Sequence, residues 1–273
     1  MTMRWSAHIS WLFAELPYAE RVGAARAAGF DTIESAWPKL AQDRAGLAAA
    51  VTEQRRAAPG FAVALLNCPA GDVAAGERGF VNDDSRREES EAAFTQAVEL
   101  AVAIGARNLN LLVGRTLPGV PQARQRAAVI DALRSFAPVA DAAGLRILLE
   151  PLNSIDSPGF LAPTADAAVE LIEAAGDDRL GLLLDVYHVA CMREDPVAAI
   201  ERHAERIGHV QLSDCPGRGA PGTGALDFVA ILTRLAESGY AGAVGLEYEP
   251  RGPTEPALAL MHDARASALF DST

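Results

Sequence analysis

The chain has few cysteines and comparatively few positive charges, and each shortage excludes a class of protein. Its 273 residues include three cysteines, Cys68, Cys191 and Cys215, with no CxxC pair among them. So sparse a set predicts reduced thiols in a cytoplasmic protein rather than a disulfide framework. Lys and Arg number 24 against 36 Asp and Glu, which gives a formal net charge of −12. A surface this negative repels phosphate backbones, so we expect no nucleic-acid partner.

Long apolar runs are also missing. Half of the residues are hydrophobic (50%), but no window approaches the ~18 consecutive apolar residues that span a bilayer. The opening MTMRWSAHISWLFAEL contains neither the uninterrupted apolar stretch nor the small-residue cleavage site of a secretory leader. We therefore expect a soluble, cytoplasmic protein with a large core and no membrane partner. The composition leaves a homo-oligomer open.

A recurring pattern organises the chain. Ala-rich, helix-like stretches end in a glycine that is followed closely by a β-prone run, as at Gly29 before DTIESAW and Gly144 before LRILLEPL. Glycine adopts the left-handed conformation at little cost, so it ends the helix and turns the chain. The runs are short and rich in Val, Ile and Leu, as expected of strands buried on both faces. With the opening RWSAHISW, this pattern predicts eight strands and seven intervening helical stretches. The segment EPALALMHDARASALF predicts an eighth helix after the last strand.

Strict alternation of strand and helix predicts a parallel α/β sheet. Eight such units predict closure into a (β/α)8 TIM barrel, with residues 1–273 as a single domain. The alternative is an open, doubly wound sheet, which is disfavoured because no GxGxxG follows the first strand. The longest connections follow strands 3 and 7. Barrel enzymes place their working loops at that end of the strands.

Four consecutive strands end in oxygen-bearing side chains: Glu150, Asp185, Gln211 and Glu247. Three carboxylates meeting at a barrel mouth would repel one another and would be costly to desolvate, whereas a cation at their centre reverses that cost. An all-oxygen set suits Mg²⁺ or Mn²⁺ better than zinc. The alternative for each residue taken singly is that it caps the next helix or pairs with an arginine.

Other polar residues carry weaker predictions. His188 lies just beyond the sixth strand, where it would orient substrate or serve a structural role. Glu34 in the second strand would face the barrel mouth or lie at a solvated end. Arg218 and Arg78, on the two long loops, would bind an anionic substrate or remain on the surface. His8 and His209, which lie in strands, are weaker candidates for the site. His203 is predicted to be an exposed helix residue.

Several segments closely resemble the hydroxypyruvate isomerase family of the xylose-isomerase-like barrels. They are NCPAGDVAAGERG, LEPLNSIDSPGF, LLLDVYHVACMRED, IGHVQLSDCPGRGAPGTGALDF and GLEYEP, and the resemblance extends from SAHISWLF to LEYEP. The PAGD…AGERG and GRGxPGTG segments are typical of this family rather than of the fold in general.

The resemblance implies an isomerase that interconverts hydroxypyruvate and 2-hydroxy-3-oxopropanoate, a small anionic hydroxy-oxo acid, through a metal-assisted enediolate. It implies that Glu150 and Glu247 are proton donor and acceptor, and that they ligate a divalent cation, Mg²⁺ or Mn²⁺, together with Asp185 and Gln211. We expect the substrate to be bound by four other residues: His188, Arg218, Glu34 and Asn67.

Departures from the family pattern keep other substrates open. Leu66 and Asn67 stand where relatives often carry His-Asn, and Arg115 stands where relatives carry Lys. A 2-oxo-tetronate isomerase and a ketose 3-epimerase would use the same site. A non-catalytic binding barrel would leave the four strand-end oxygen ligands without a role. An apurinic endonuclease shares the fold, but five histidines and a net charge of −12 argue against it.

Overall fold

The structure, a computed structural model, describes residues 4–254. Eight parallel strands close into a barrel in sequence order, and β8 pairs with β1 to complete the ring. The predicted barrel is confirmed and the open sheet is excluded. The strands are β1 (Arg4–His8), β2 (Thr32–Ser35), β3 (Ala62–Asn67), β4 (Ala106–Leu111), β5 (Arg146–Leu149), β6 (Gly181–Asp185), β7 (Ile207–Leu212) and β8 (Ala243–Leu246).

Helices fill every connection and form the outer ring. They are α1 (Glu20–Ala27), α2 (Ala41–Ala57), α3 (Arg87–Ile104), α4 (Gln122–Ala142), α5 (Ala165–Ala175), α6 (Val186–Cys191), α7 (Pro196–His203) and α8 (Phe228–Glu237). As predicted, α3 and α5 end at left-handed glycines, Gly105 (φ +55°) and Gly176 (φ +74°). The helix predicted for EPALALMHDARASALF lies outside the described residues.

One connection differs from the expected single helix. Between β6 and β7 the chain forms both α6 and α7, and β6 ends at Asp185, as predicted. The reason is local, because Asp185 Oδ1 accepts a hydrogen bond from the Tyr187 backbone N–H at 2.9 Å and caps α6. Asp195 and Pro196 then start α7 in the same way, with a side-chain cap followed by proline in the first turn.

The core has two parts. A continuous apolar layer joins the strands to the surrounding helices. A smaller cluster consists of Leu65, Leu148 and Leu183, one each from β3, β5 and β6. Because strand residues alternate between faces, these leucines fill the barrel interior while their neighbours pack against the helices. Within residues 4–254, no helix combines the length and apolar composition that crossing a bilayer requires.

Candidate active site

A cavity of about 900 Å³ opens at the carboxyl ends of the strands. Glu150 and Glu247, each directly after its strand, line this cavity. Asp185 and Gln211 are almost fully buried, with 0% and 1% of their surface exposed. The parallel pairing sets Asp185 beside Gln211 and Gln211 beside Gly245. The barrel thus gathers all four predicted strand-end residues at one end.

His188 on α6 contacts two of the acids. Its Nε2 lies 3.8 Å from Glu150 Oε1 and 3.6 Å from Asp185 Oδ2. Glu150, Asp185 and His188 are all buried, and one ligand atom from each lies within 4.8 Å of the others. This cluster could hold a metal ion.

The hydrogen bonds of His188 determine where its proton resides. The backbone N–H of Asn153 donates to His188 Nδ1 at 3.2 Å. A backbone N–H can only donate, so Nδ1 is the acceptor of the ring and Nε2 carries the proton in the neutral form. Burial lowers the pKa of His188 well below its usual value, with Arg218 acting in the same direction. His188 therefore presents a neutral N–H to the carboxylates.

Burial of the acids makes their ionised forms unfavourable. Desolvation raises the pKa of Glu150 well above its ordinary value, and the charges of Glu247 and Asp185 raise it further. Desolvation also raises the pKa of Asp185 to about 7, against the opposing effect of Arg218. The pKa of Glu247 is raised for the same first reason. Three such carboxyl groups favour the binding of a cation.

Arg218 lies between two of these acids. Its Nη2 is 3.1 Å from Asp185 Oδ2 and 3.3 Å from Glu247 Oε2. The guanidinium carbon also stands 4.7 Å from the ring centre of Trp11 and 5.1 Å from that of Tyr187. The side chain is 17% exposed, so the surface alternative is excluded. Asp185 thus also fulfils both alternatives considered for it, because it caps α6 and pairs with Arg218.

The loop that carries Arg218 is organised by one buried carboxylate. Asp214, which is 0% exposed, lies two residues after the end of β7 and accepts hydrogen bonds from four backbone N–H groups. The donors belong to Cys215, Gly222, Gly224 and Leu226. These hydrogen bonds connect residues on both sides of Arg218 to one carboxylate and so fix the conformation of the loop. Asp214 therefore positions Arg218 over the acids.

The remaining candidates fall into two places. Asn67 lines the cavity, as do His188 and Arg218. Glu34 is fully buried, and its carboxylate contacts His209 and Gln211 inside the barrel. His8, also fully buried, lies 3.4 Å from Glu247 Oε1 through its Nε2.

Sequence reasoning missed Asn110 and misplaced His203. Asn110 Nδ2 donates to Glu150 Oε2 at 2.6 Å and to Asn67 Oδ1 at 3.2 Å. A signal was present, because Asn110 is an amide near the carboxyl end of β4, the end at which the four predicted residues lie. His203 was expected to be exposed, and this is wrong. It is 7% exposed and pairs with Asp166 at 2.8 Å, so that it joins α7 to α5.

The sequence matches a family model described as xylose isomerase-like TIM barrel over residues 22–267. A putative hydroxypyruvate isomerase from Streptomyces coelicolor is 38% identical, covering 90% of this chain and 91% of that protein. The hydroxypyruvate isomerase of Escherichia coli is 33% identical, covering 96% and 100%. The chain belongs to the hydroxypyruvate isomerase family of xylose isomerase-like barrels. It is an isomerase.

Two further similarities bear on its substrate and fold. A 2-oxo-tetronate isomerase from Cupriavidus necator is 31% identical, covering 93% of this chain and 96% of that protein. A crystal structure described as AP endonuclease, family 2, from Brucella melitensis superposes with a TM-score of 0.88 at 31% identity, covering 97% and 100%. Family membership alone therefore does not distinguish hydroxypyruvate from 2-oxo-tetronate as the substrate.

Proposed function

We propose that this isomerase interconverts hydroxypyruvate and 2-hydroxy-3-oxopropanoate by proton transfer between adjacent carbons, with Glu150 and Glu247 as the acid and base. The observation that carries the proposal is a pair of buried carboxyl groups that both line the cavity and both have a raised pKa. A carboxylate whose pKa is raised is a stronger base than an ordinary carboxylate. The names of the hydroxypyruvate isomerase relatives support the three-carbon substrate.

The donor set fits a divalent cation. Gln211 Oε1 is buried without a hydrogen-bond partner among the described residues, and it stands beside Asp185. We propose that Glu150, Asp185, Gln211 and Glu247 hold Mg²⁺ or Mn²⁺, since hard cations prefer oxygen ligands. His188 is a less suitable ligand, because its Nε2 carries a proton. When bound, the cation would neutralise the acids and polarise the substrate's oxygens.

The protein's own groups account for the proton movements. One of Glu150 and Glu247 removes a proton from the hydroxymethyl carbon, and the other returns a proton to the neighbouring carbon. The hydroxyl proton passes between the two substrate oxygens, so that the product is an isomer and nothing is oxidised or reduced overall. The neutral Nε2–H of His188 can donate to a substrate oxygen in the enediolate. Asn110 keeps Glu150 oriented through its 2.6 Å hydrogen bond.

The substrate's carboxylate needs a cation that is not already neutralised. Arg218 is paired with Asp185 and Glu247. Arg78 also lines the cavity, and its Nη1 donates to the carbonyl oxygens of Val73 and Glu77. Among residues 4–254, no carboxylate lies within ion-pair distance of Arg78. We therefore propose Arg78 as the carboxylate-binding residue.

Replacing Arg78 by glutamine is expected to raise KM for hydroxypyruvate about 10-fold or more while kcat changes little. The reason is that a charge-assisted contact to the carboxylate is present equally in the ground and transition states. Steady-state kinetics measure both constants. Arg56→Gln, an equal change of charge at an exposed site on α2, is the control. If the two variants had the same KM, Arg78 would not bind the carboxylate.

Two other substrates are distinguishable from hydroxypyruvate. A 2-oxo-tetronate is one carbon longer and carries the same carboxylate, and the Cupriavidus necator relative is named for it. A ketose, the substrate of a 3-epimerase, has no carboxylate for Arg78. A cavity of about 900 Å³ accommodates each of them.

The proposal is tested by assaying hydroxypyruvate, 2-oxo-tetronate and neutral ketoses with chelator-treated protein, before and after adding Mn²⁺ or Mg²⁺. We expect the highest kcat/KM with hydroxypyruvate, and restoration of activity by the cations. Turnover in D₂O should place solvent deuterium on the carbon that receives the proton. Product without deuterium would indicate hydride transfer, and preference for a neutral ketose would indicate an epimerase.

We propose the cytoplasm as the location of the enzyme. All three cysteines are free thiols in the structure. The sulfur atoms of Cys191 and Cys215 lie 3.7 Å apart in a thiol hydrogen bond, and free thiols are typical of proteins in a reducing compartment.

A further inference from the structure

Below the cavity, Glu34 extends across the barrel interior from β2 to β7. Its Oε2 lies 2.6 Å from His209 Nε2 and accepts a hydrogen bond from Gln211 Nε2 at 3.3 Å. All three side chains are at most 1% exposed. Strands β2 and β7 are separated by β1 and β8 in the barrel, so these contacts join strands that do not pair with each other. Burying a carboxylate costs free energy of desolvation, which its hydrogen-bond partners must offset.

The Glu34 carboxylate occupies space that is open because residue 245 has no side chain. A Cβ atom at Gly245 on β8 would lie 1.8 Å from Glu34 Oε1. Any larger residue there would therefore displace the Glu34 carboxylate. Gly245 is the strand partner of Gln211 and lies two residues before Glu247. The space for Glu34 is thus built into the same strands that carry two of the proposed ligands.

The contact with Glu34 decides which way the Gln211 amide faces. The Gln211 Nε2 amide donates to Glu34 Oε2, so the amide nitrogen is the atom that faces Glu34. The carbonyl oxygen then lies on the other side of the amide, and it is buried with no hydrogen-bond partner among the described residues. His209 keeps Glu34 in place through the second contact of the same oxygen. An amide that turned round would present a donor where an oxygen ligand is needed.

We propose that Glu34, held by His209, is a positioning residue that fixes the Gln211 amide so that its carbonyl oxygen is free to bind the divalent cation. This inference rests on the proposed function, because it requires a cation at the strand ends. It gives Glu34 a role other than the substrate contact expected from the sequence. It also explains why a glutamine, whose two ends differ, can serve as a dependable ligand here.

The experiment measures Mn²⁺ affinity, by electron paramagnetic resonance of free Mn²⁺ and by titration calorimetry, together with Tm in chelator. Glu34→Gln offers Gln211 both a donor and an acceptor, so the amide is no longer held in one orientation. We expect its Mn²⁺ affinity to fall about 10- to 100-fold, the usual consequence of losing a group that orients a ligand. Glu53→Gln, the same substitution at an exposed position on α2, should bind Mn²⁺ like the wild type.

A reciprocal exchange keeps the test decisive if the single variant folds poorly. In the double variant Glu34→Gln/Gln211→Glu, the amide of residue 34 can donate to the carboxylate of residue 211, whose second oxygen stays free. We expect Mn²⁺ affinity to return to within a few-fold of the wild type. The single variant Gln211→Glu should be destabilised, because two carboxylates would face each other across about the present 3.3 Å contact.

The outcomes separate the two proposals. If Glu34→Gln lowers Tm but leaves Mn²⁺ affinity unchanged, Glu34 is only a structural residue and the inference is wrong. The inference is also wrong if the double variant folds but binds Mn²⁺ no better than Glu34→Gln. If the wild type itself binds neither Mn²⁺ nor Mg²⁺, the proposed cation site fails, and the positioning role fails with it.

Discussion

Replacing Glu150 by glutamine is expected to lower kcat for the proposed isomerisation by about 10³-fold or more. Glutamine keeps the shape of the side chain and can accept the hydrogen bond from Asn110, but it cannot exchange a proton. Acid–base catalysis by one positioned group contributes roughly 10²- to 10⁴-fold, and the variant also loses a proposed oxygen ligand. Steady-state assays with hydroxypyruvate measure kcat, and turnover in D₂O shows whether proton exchange is lost with it.

Glu89→Gln is the matched control for this prediction. Glu89 lines the same cavity, but its side chain is 55% exposed and pairs with Arg86 rather than with the acid cluster. The control should keep kcat within about a factor of three. The exposed ion pair that it breaks contributes little to stability, and it lies outside the acid cluster. If Glu150→Gln kept full turnover, Glu150 would be neither the acid nor the base of the reaction.

The stability of the Glu150→Gln variant distinguishes lost chemistry from lost folding. Burial and the neighbouring acids raise the folded-state pKa of Glu150, so the native state binds more protons than the unfolded state. Stability of the metal-free protein therefore falls as pH rises from the unfolded pKa toward the raised folded one. Glutamine removes this dependence at residue 150. In chelator above neutral pH, the variant should unfold at or above the Tm of the wild type.

The sequence pattern anticipated the barrel because its signals are local. The glycines that end helices, such as Gly105 and Gly176, and the short apolar runs that follow them depend on neighbouring residues, and the parallel sheet follows from the alternation of helix and strand. The four strand-end residues could be selected for a related reason. Glu150, Asp185, Gln211 and Glu247 interrupt or end apolar runs at equivalent positions, and a closed barrel brings equivalent positions together.

Contacts between distant segments could not be anticipated in this way. Arg218 reaches the acids because Asp214 folds the loop, and no local pattern encodes those four backbone hydrogen bonds. The proton position on His188 depends on Asn153, which lies 35 residues away in the sequence. The partners of Glu34 lie 175 and 177 residues away, which is why it could be noticed as an acid in a strand but not assigned a role.

Gly79→Ala is expected to lower the free energy of unfolding by about 3 kcal/mol or more and to raise KM for hydroxypyruvate. Gly79 follows Arg78, has φ +87° and forms an antiparallel bridge with Val113. A Cβ atom there would lie 1.9 Å from the backbone oxygen of Leu112. The left-handed conformation costs alanine about 1–2 kcal/mol, and forcing two backbone segments apart adds about 1–3 kcal/mol.

Gly119→Ala provides the comparison that isolates the backbone clash. Gly119 is also left-handed, with φ +76°, but a Cβ atom there meets nothing within 4 Å. We expect it to lose only about 1–2 kcal/mol, the conformational part alone, and to keep the wild-type KM. Denaturant unfolding and steady-state kinetics on both variants measure the difference. Equal losses of stability and equal KM values would mean that the bridge between Gly79 and Val113 does not hold Arg78 at the cavity wall.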